Sequence, residues 1–365
     1  MWRGVIRRCG WSAAGLVVGA AAMMVFAGPL DPPAGAVSST HKTLTEVEPR
    51  IAINATNTPG DATSQFRISA PGSYYLTADM VGAADKDGIR IESGGVSIDL
   101  MGFALSGLEE SGAAIVAYEG FGDITVRHGS ITAWGGGGVM LASGGRGFVI
   151  ENLRVSSCGR HGIDAGDAAV VRSCSAVFNS EYGIRVGQSG VVEGCSARSN
   201  GGTGIGISIG SVVSASSAGA NGGAGIVVES GATARECAAE SNQFHGIMAS
   251  DGSVVSRCSS AFNMFDGVFA GSGSLILENA CASNGRSGSG AGVHMAGPYG
   301  RIEGNHVINN PRGIDVDAGR NLVVRNYATG NAVNFDIAGS NIVGTIVTTE
   351  AQMNAAPNGN VNVSF

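Results

Sequence analysis

Residues 179–199 read NSEYGIRVGQSGVVEGCSARS, and residues 200–220 read NGGTGIGISIGSVVSASSAGA. The two segments align without a gap. Working outward, glycine followed by an aliphatic residue recurs at Gly162-Ile163, Gly183-Ile184, Gly204-Ile205, Gly225-Ile226, Gly246-Ile247 and Gly267-Val268, always 21 residues apart. After a four-residue insertion the step resumes at Gly292-Val293 and Gly313-Ile314, and Asn334-Phe335 takes the next slot. Looser copies precede it at Gly88-Ile89, Ala114-Ile115 and Gly138-Val139. Four residues before the glycine stands Asn179, Asn200, Asn221, Asn242, Asn263 or Asn309. Nine before it stands Cys174, Cys195, Cys237 or Cys258, with Ser216 filling one gap.

A unit this short excludes helix pairs, which need ~34 residues. Its Gly, Ser, Asn, Val and Ile are poor helix formers. A leucine-rich repeat has the right length, but no leucine occurs between Leu153 and Leu275. Short alternating strands joined by tight polar turns remain. The residues one and three places after the glycine share one face, and a second apolar pair follows, as in Val191-Val192. Three strands per coil predict an all-β parallel solenoid of about twelve coils, ~4.8 Å apart. Residues 49–337 would form it, including a first cap over 49–80, with a closing cap or tail over 338–365.

Composition agrees. Glycine fills 60 of 365 positions, against ~7% on average, yet without the three-residue period of collagen. Hydrophobic residues make up 44% and net charge is only -7, so the chain can bury a core. With 22 basic against 29 acidic residues, a nucleic-acid binder is disfavoured. The start combines Arg3, Arg7 and Arg8 with an apolar run from Ala13 to Ala27. This predicts a signal peptide over 1–27 and a linker over 28–48. The mature chain is expected to be secreted, periplasmic or at the cell surface, with no membrane span.

The asparagine column has a structural reading, because Asn tolerates left-handed turns and its amide can bond to the next copy. Six cysteines follow the leader: Cys158, Cys174, Cys195, Cys237, Cys258 and Cys281. They are expected as an inward stack of free thiols, since stacked side chains point the same way and strain a disulfide. No Cys/His spacing marks a metal site.

The coil pattern N-x-x-x-G-I-x-V with a V-V-x-x-C half-coil resembles the right-handed parallel β-helix (PbH1-type) proteins of the pectin-lyase-like superfamily. ISAPGSYYLT, VSIDLMGFALSG, RHGSITAWGGGGV and GTIVTTEAQMNAAPN are similar to a secreted bacterial subgroup. The resemblance covers nearly all of the chain from residue 49. It implies the fold and its handedness, and an association with polysaccharide. Lyases, hydrolases, epimerases, tailspikes and adhesins all share the fold, so it does not choose an activity.

In this superfamily activity sits on outward residues of one sheet. The residue two after the glycine faces out and reads Asp164, Arg185, Gly206, Val227, Met248, Phe269, His294, Asp315, Asp336. The last three, with Asp317, are the candidate catalytic set. Two carboxylates one strand apart suit an acid/base pair or a shared cation, with Ca2+ the cation the resemblance suggests and His294 as base or ligand. His245, Asp266 and Phe269 are candidate ligand-binding residues for a sugar-stacking patch beside Met248. Asp164 and Arg185, near His161 and Tyr182, are expected as a surface ion pair. Arg160-His161-Gly162 lacks the first glycine of the polygalacturonase G-H-G, and only Gly285 to Ala291 is inserted. Short turns argue against a deep cleft. Three functions follow: polysaccharide binding without turnover, a polysaccharide lyase or glycoside hydrolase, and a structural or adhesive scaffold.

Overall fold

The computed structural model describes residues 49–356 and 359–365. The expected signal peptide and linker lie outside the described residues. From Arg50 onward the chain is one solenoid unit. One sheet has thirteen parallel strands, from Ser64–Ile68 to Val333–Ile337, each contributed by the Gly-Ile segment of successive coils. The other two faces of the coil form one 26-stranded sheet. They are continuous because Ile124–Thr132 and Val149–Ser156 run through the corner that divides three-residue strands elsewhere.

The alternation works as the pattern requires. In Ile184–Val186 the two aliphatic ends are buried and Arg185 is exposed. Ile163, Ile184, Ile205, Ile226, Ile247, Val268, Val293 and Ile314 stack in one fully buried column. β-branched side chains suit this stacking because χ1 is stiff and each methyl meets its copy one strand away. Each such residue contributes ~1.5–3 kcal/mol.

All three corners are turned by a left-handed residue. At one corner these are Phe178, Ser199, Ala220, Ser241 and Phe262, with φ between 54° and 58°. The expectation that the asparagines take this conformation is corrected: the residue before each asparagine does. The asparagine points inward instead. Asn179 donates its backbone N–H and its Nδ2 to Asn200 Oδ1, at 3.0 and 2.9 Å. The same double bond repeats from Asn200 to Asn221, Asn242, Asn263, Asn284, Asn310 and Asn331. Each left-handed turn costs ~1–2 kcal/mol and each satisfied bond returns ~0.5–1.5. Asn309, expected in the ladder, is itself left-handed at φ 55°, and Asn310 replaces it. The reason is register. The strand partners Val268 and Val293 are 25 apart but Leu275 and Arg301 are 26 apart, so the turn between Val293 and Arg301 holds one more residue. Three residues rather than four then separate the ladder asparagine from Gly313.

Cys174, Cys195, Ser216, Cys237 and Cys258 line another corner and give way to a second ladder, Asn279, Asn305, Asn326 and Asn362. All six described cysteines are buried free thiols. Burial pushes Cys158 to about 11 and Cys281 to about 12, so both are inert.

Both ends differ from expectation. Ser64–Ile68 already pairs in register with Asp87–Ile91, so residues within the expected cap open the first coil. That supplies the thirteenth strand. At the far end, Ile342–Val343 and Asn362–Ser364 pair with the last coil, and the helix Glu350–Ala355 between them buries none of its residues. Strand pairing thus continues into the segment expected as the closing cap or tail.

Candidate functional site

Two columns build the site. The residue before each glycine and the residue two after it both sit on the outer face of the thirteen-stranded sheet. In register, Phe269 lies opposite His294, His294 opposite Asp315, and Asp315 opposite Asp336. The residue-before-glycine column supplies His245, Asp266 and Arg312. The two groups expected as separate clusters are therefore one.

Asp266 is its centre. Its side chain is 5% exposed. Oδ1 accepts the Ala291 N–H at 2.6 Å, and Oδ2 lies 3.1 Å from His294 Nδ1. The segment that holds the four-residue insertion, residues 285–291, ends at that N–H. Gly290 stands at φ 131°, where a side chain is strained, and its missing Cβ would come within 3.3 Å of the Asp266 carboxylate. His294 Nε2 lies 3.0 Å from Asp317 Oδ2 and 3.8 Å from Asp315 Oδ2. Asp315 is buried, and Arg312 Nη1 lies 2.5 Å from its Oδ2. Oδ2 has no other donor, so its partner is the Arg312 guanidinium. Asp336 is exposed, 4.0 Å from Arg312.

Rings flank this charge. His245 stacks on Phe269 at 5.0 Å, and Phe269 meets His294 edge-on at 5.1 Å. Phe244 lies 4.2 Å from His245 and 5.2 Å from Phe265. His245 Nδ1 stands 3.2 Å from both the backbone N–H and the carboxylate of Asp266. A neutral ring accepts the first, whereas a protonated ring donates to the second.

Electrostatics follow from these contacts. Burial disfavours a charged Asp266, but hydrogen bonds from His245, His294 and Ala291 outweigh it and hold the carboxyl well below the ordinary range. Burial likewise opposes a charged His294, yet Asp266 and Asp317 overcome it and raise the ring to about 9. Near neutrality these contacts favour the protonated ring. Burial raises Asp315 despite His294 and Arg312.

The other expected cluster is real but differently arranged. Asp164 lies 3.6 Å from Arg185 and 3.9 Å from His161, and it is buried rather than at the surface. His161 Nδ1 stands 3.1 Å from Glu181 and its ring 5.6 Å from Tyr182.

Calcium does not fit the His294 cluster. It prefers six to eight oxygens, whereas the group that can converge on one ion among the described residues is His294, Asp315 and Asp317, whose ligand atoms lie within 4.8 Å of one another. Sequence reasoning missed the link from Asp266 to His294. It was visible only as the column His245, Asp266, Ala291, Arg312 standing beside the column read for chemistry. A groove of about 570 Å3 lies elsewhere, along the corner from Gly102 to Ser196.

No curated protein sequence matches the chain. Among solved structures it is similar to the A-module of the Azotobacter vinelandii mannuronan C-5 epimerase AlgE4, at 16% identity, TM-score 0.57, over 75% of this chain and 91% of that one. The AlgE6 A-module of the same organism gives 17% identity and 0.57, over 81% and 91%. The periplasmic alginate epimerase AlgG gives 11% and 0.51, over 86% and 80%. At such identities the likeness shows the fold alone. The sequence model for the right-handed beta helix region matches residues 81–218 and 212–355. The chain therefore belongs to the right-handed β-helix family.

Proposed function

We propose that this is an extracytoplasmic β-helix protein that binds polysaccharide, without turnover, along the outer face of the thirteen-stranded sheet. One observation carries the reading: the strip of Phe244, His245, Phe265 and Phe269 beside a row of polar groups from His294 to Asp336. Rings offer sugars an apolar face, and the flanking groups can exchange hydrogen bonds with hydroxyls. Phe244 is 39% exposed, as a stacking platform must be. Both His294 nitrogens are already held by carboxylates, which favours binding over proton transfer. The names of the similar structures, epimerases of mannuronan and alginate, agree with the substrate class. The arginine-led apolar start supports export, and no helix among the described residues is long and apolar enough to cross a membrane.

The test incubates the mature protein with immobilised acidic and neutral polysaccharides, following retention, unsaturated-sugar absorbance and new reducing ends. Retention without product is expected, weakened at least tenfold by Phe244→Ala. Failure to retain any glycan would leave the structural or adhesive scaffold. A lyase or hydrolase is favoured by one observation: burial raises Asp315, which faces Asp336 across one strand step. Product that Asp315→Asn with Asp336→Asn abolishes would establish that reading.

A further inference from the structure

We propose that His294, Asp315 and Asp317 form a binding site for one divalent ion of the zinc class. The proposal is independent of the glycan reading. Three observations carry it. First, the ligand atoms already converge: His294 Nε2 lies 3.0 Å from Asp317 Oδ2 and 3.8 Å from Asp315 Oδ2. Tetrahedral ligands ~2.0–2.2 Å from zinc stand ~3.4 Å apart, so the set needs only small adjustments. Asp317, with its side chain 57% exposed, is free to make them.

Second, the far nitrogen of His294 is anchored as a metal-ligating histidine requires. Its Nδ1 meets Asp266, a 5% exposed carboxylate fixed from behind by the Ala291 N–H. The ion displaces the Nε2 proton to solvent, and the carboxylate on Nδ1 keeps the remaining N–H there and strengthens Nε2 as a donor. The same next-coil N–H meets His161 and His245 at the equivalent positions, so the anchor is part of the repeat.

Third, Asp315 Oδ2 is buried, has no donor other than Arg312 and lies beside His294. Arg312 is the competitor, 2.5 Å from the same oxygen, and Asp336 at 4.0 Å offers its guanidinium a second carboxylate. One imidazole and two carboxylates match zinc and leave its fourth position open, whereas calcium would lack oxygens.

The experiment is calorimetric titration of the whole, tag-free, chelator-stripped protein with Zn2+ alone, and separately with Ca2+. One Zn2+ per chain is expected, with Ca2+ at least a hundredfold weaker. Asp317→Ala should weaken Zn2+ at least tenfold, and Glu181→Gln, on the other cluster of the same sheet, less than threefold. Because Asp317 is exposed, an unchanged circular-dichroism spectrum should confirm that its variant folds, and His294→Gln repeats the test at a second ligand. No Zn2+ binding, binding that survives both substitutions, or Ca2+ binding as tight as Zn2+ would overturn the proposal.

Discussion

His161 and His294 lie on the outer face of one sheet, each close to a buried aspartate, and their charges go opposite ways. Burial lowers His161, and the gains from Asp164 and Glu181 are offset by Arg185 and Arg160. His294 is also largely buried, yet it is raised to about 9. The difference is geometric. His161 has one close carboxylate, Glu181 at 3.1 Å, with Asp164 at 3.9 Å and two arginines nearby. His294 has carboxylates at 3.1 and 3.0 Å, one on each nitrogen, and Arg312 is turned to Asp315. Balanced neighbours thus leave burial to lower His161, whereas a carboxylate on each nitrogen raises His294.

Asp266→Ala should have the largest effect. It removes the buried one of the two carboxylates that hold His294 and the acceptor for the Ala291 N–H, for a loss of about 3–5 kcal/mol in denaturant unfolding at neutral pH. Asp164→Asn should cost under about 1 kcal/mol. Burial raises that carboxyl, so its charged form is already disfavoured and a neutral isostere gives up little.

Next comes pH, with chelator present. His294 has a higher pKa folded than unfolded. Its contribution is full below the unfolded value of ~6.5 and is lost as pH rises through about 9. A decline on the order of 2–3 kcal/mol is expected across that window, and it should be absent in His294→Gln. His161 has the opposite sign: its folded value is lowered, so its penalty appears as pH falls below ~6.5. Proton-detected titration of the two rings checks both directions.

Asp317→Asn should lower the His294 midpoint toward its ordinary value while changing stability by under about 1 kcal/mol, since Asp317 is exposed. Arg185→Ala, which removes an exposed arginine 3.6 Å from Asp164, should have the smallest effect, about 0–1 kcal/mol.

The coil was legible because each repeats the same physical problem. Ile184, Ile205 and Ile226 fill one inward slot, so the 21-residue step alone specifies their stacking. The turns were less legible. Phe178, Ser199 and Ala220 share a left-handed conformation that no common side chain announces. The asparagine beside them drew the assignment because its residue type is constant. At the site, alternation correctly put His294, Asp315 and Asp336 in register and His245 beside Phe269. It could not show that Asp266 joins the two groups, because the link runs through a second column, the residue before each glycine, whose side chain meets the next coil's backbone N–H, as His161 does with Tyr182 and His245 with Asp266. Nor could it show that Asp164 and Asp315 are buried, because neighbouring coils cover them.

The most direct test of a binding face centred on the His294 half of the sheet is histidine-resolved NMR of the labelled protein. The probes are mannuronate oligomers and, separately, neutral glucan oligomers. The account predicts that His245 and His294 shift with one probe in a saturable way while His161 stays fixed. A saturable shift of His161 with His294 unmoved would place the ligand on the other cluster and contradict the account.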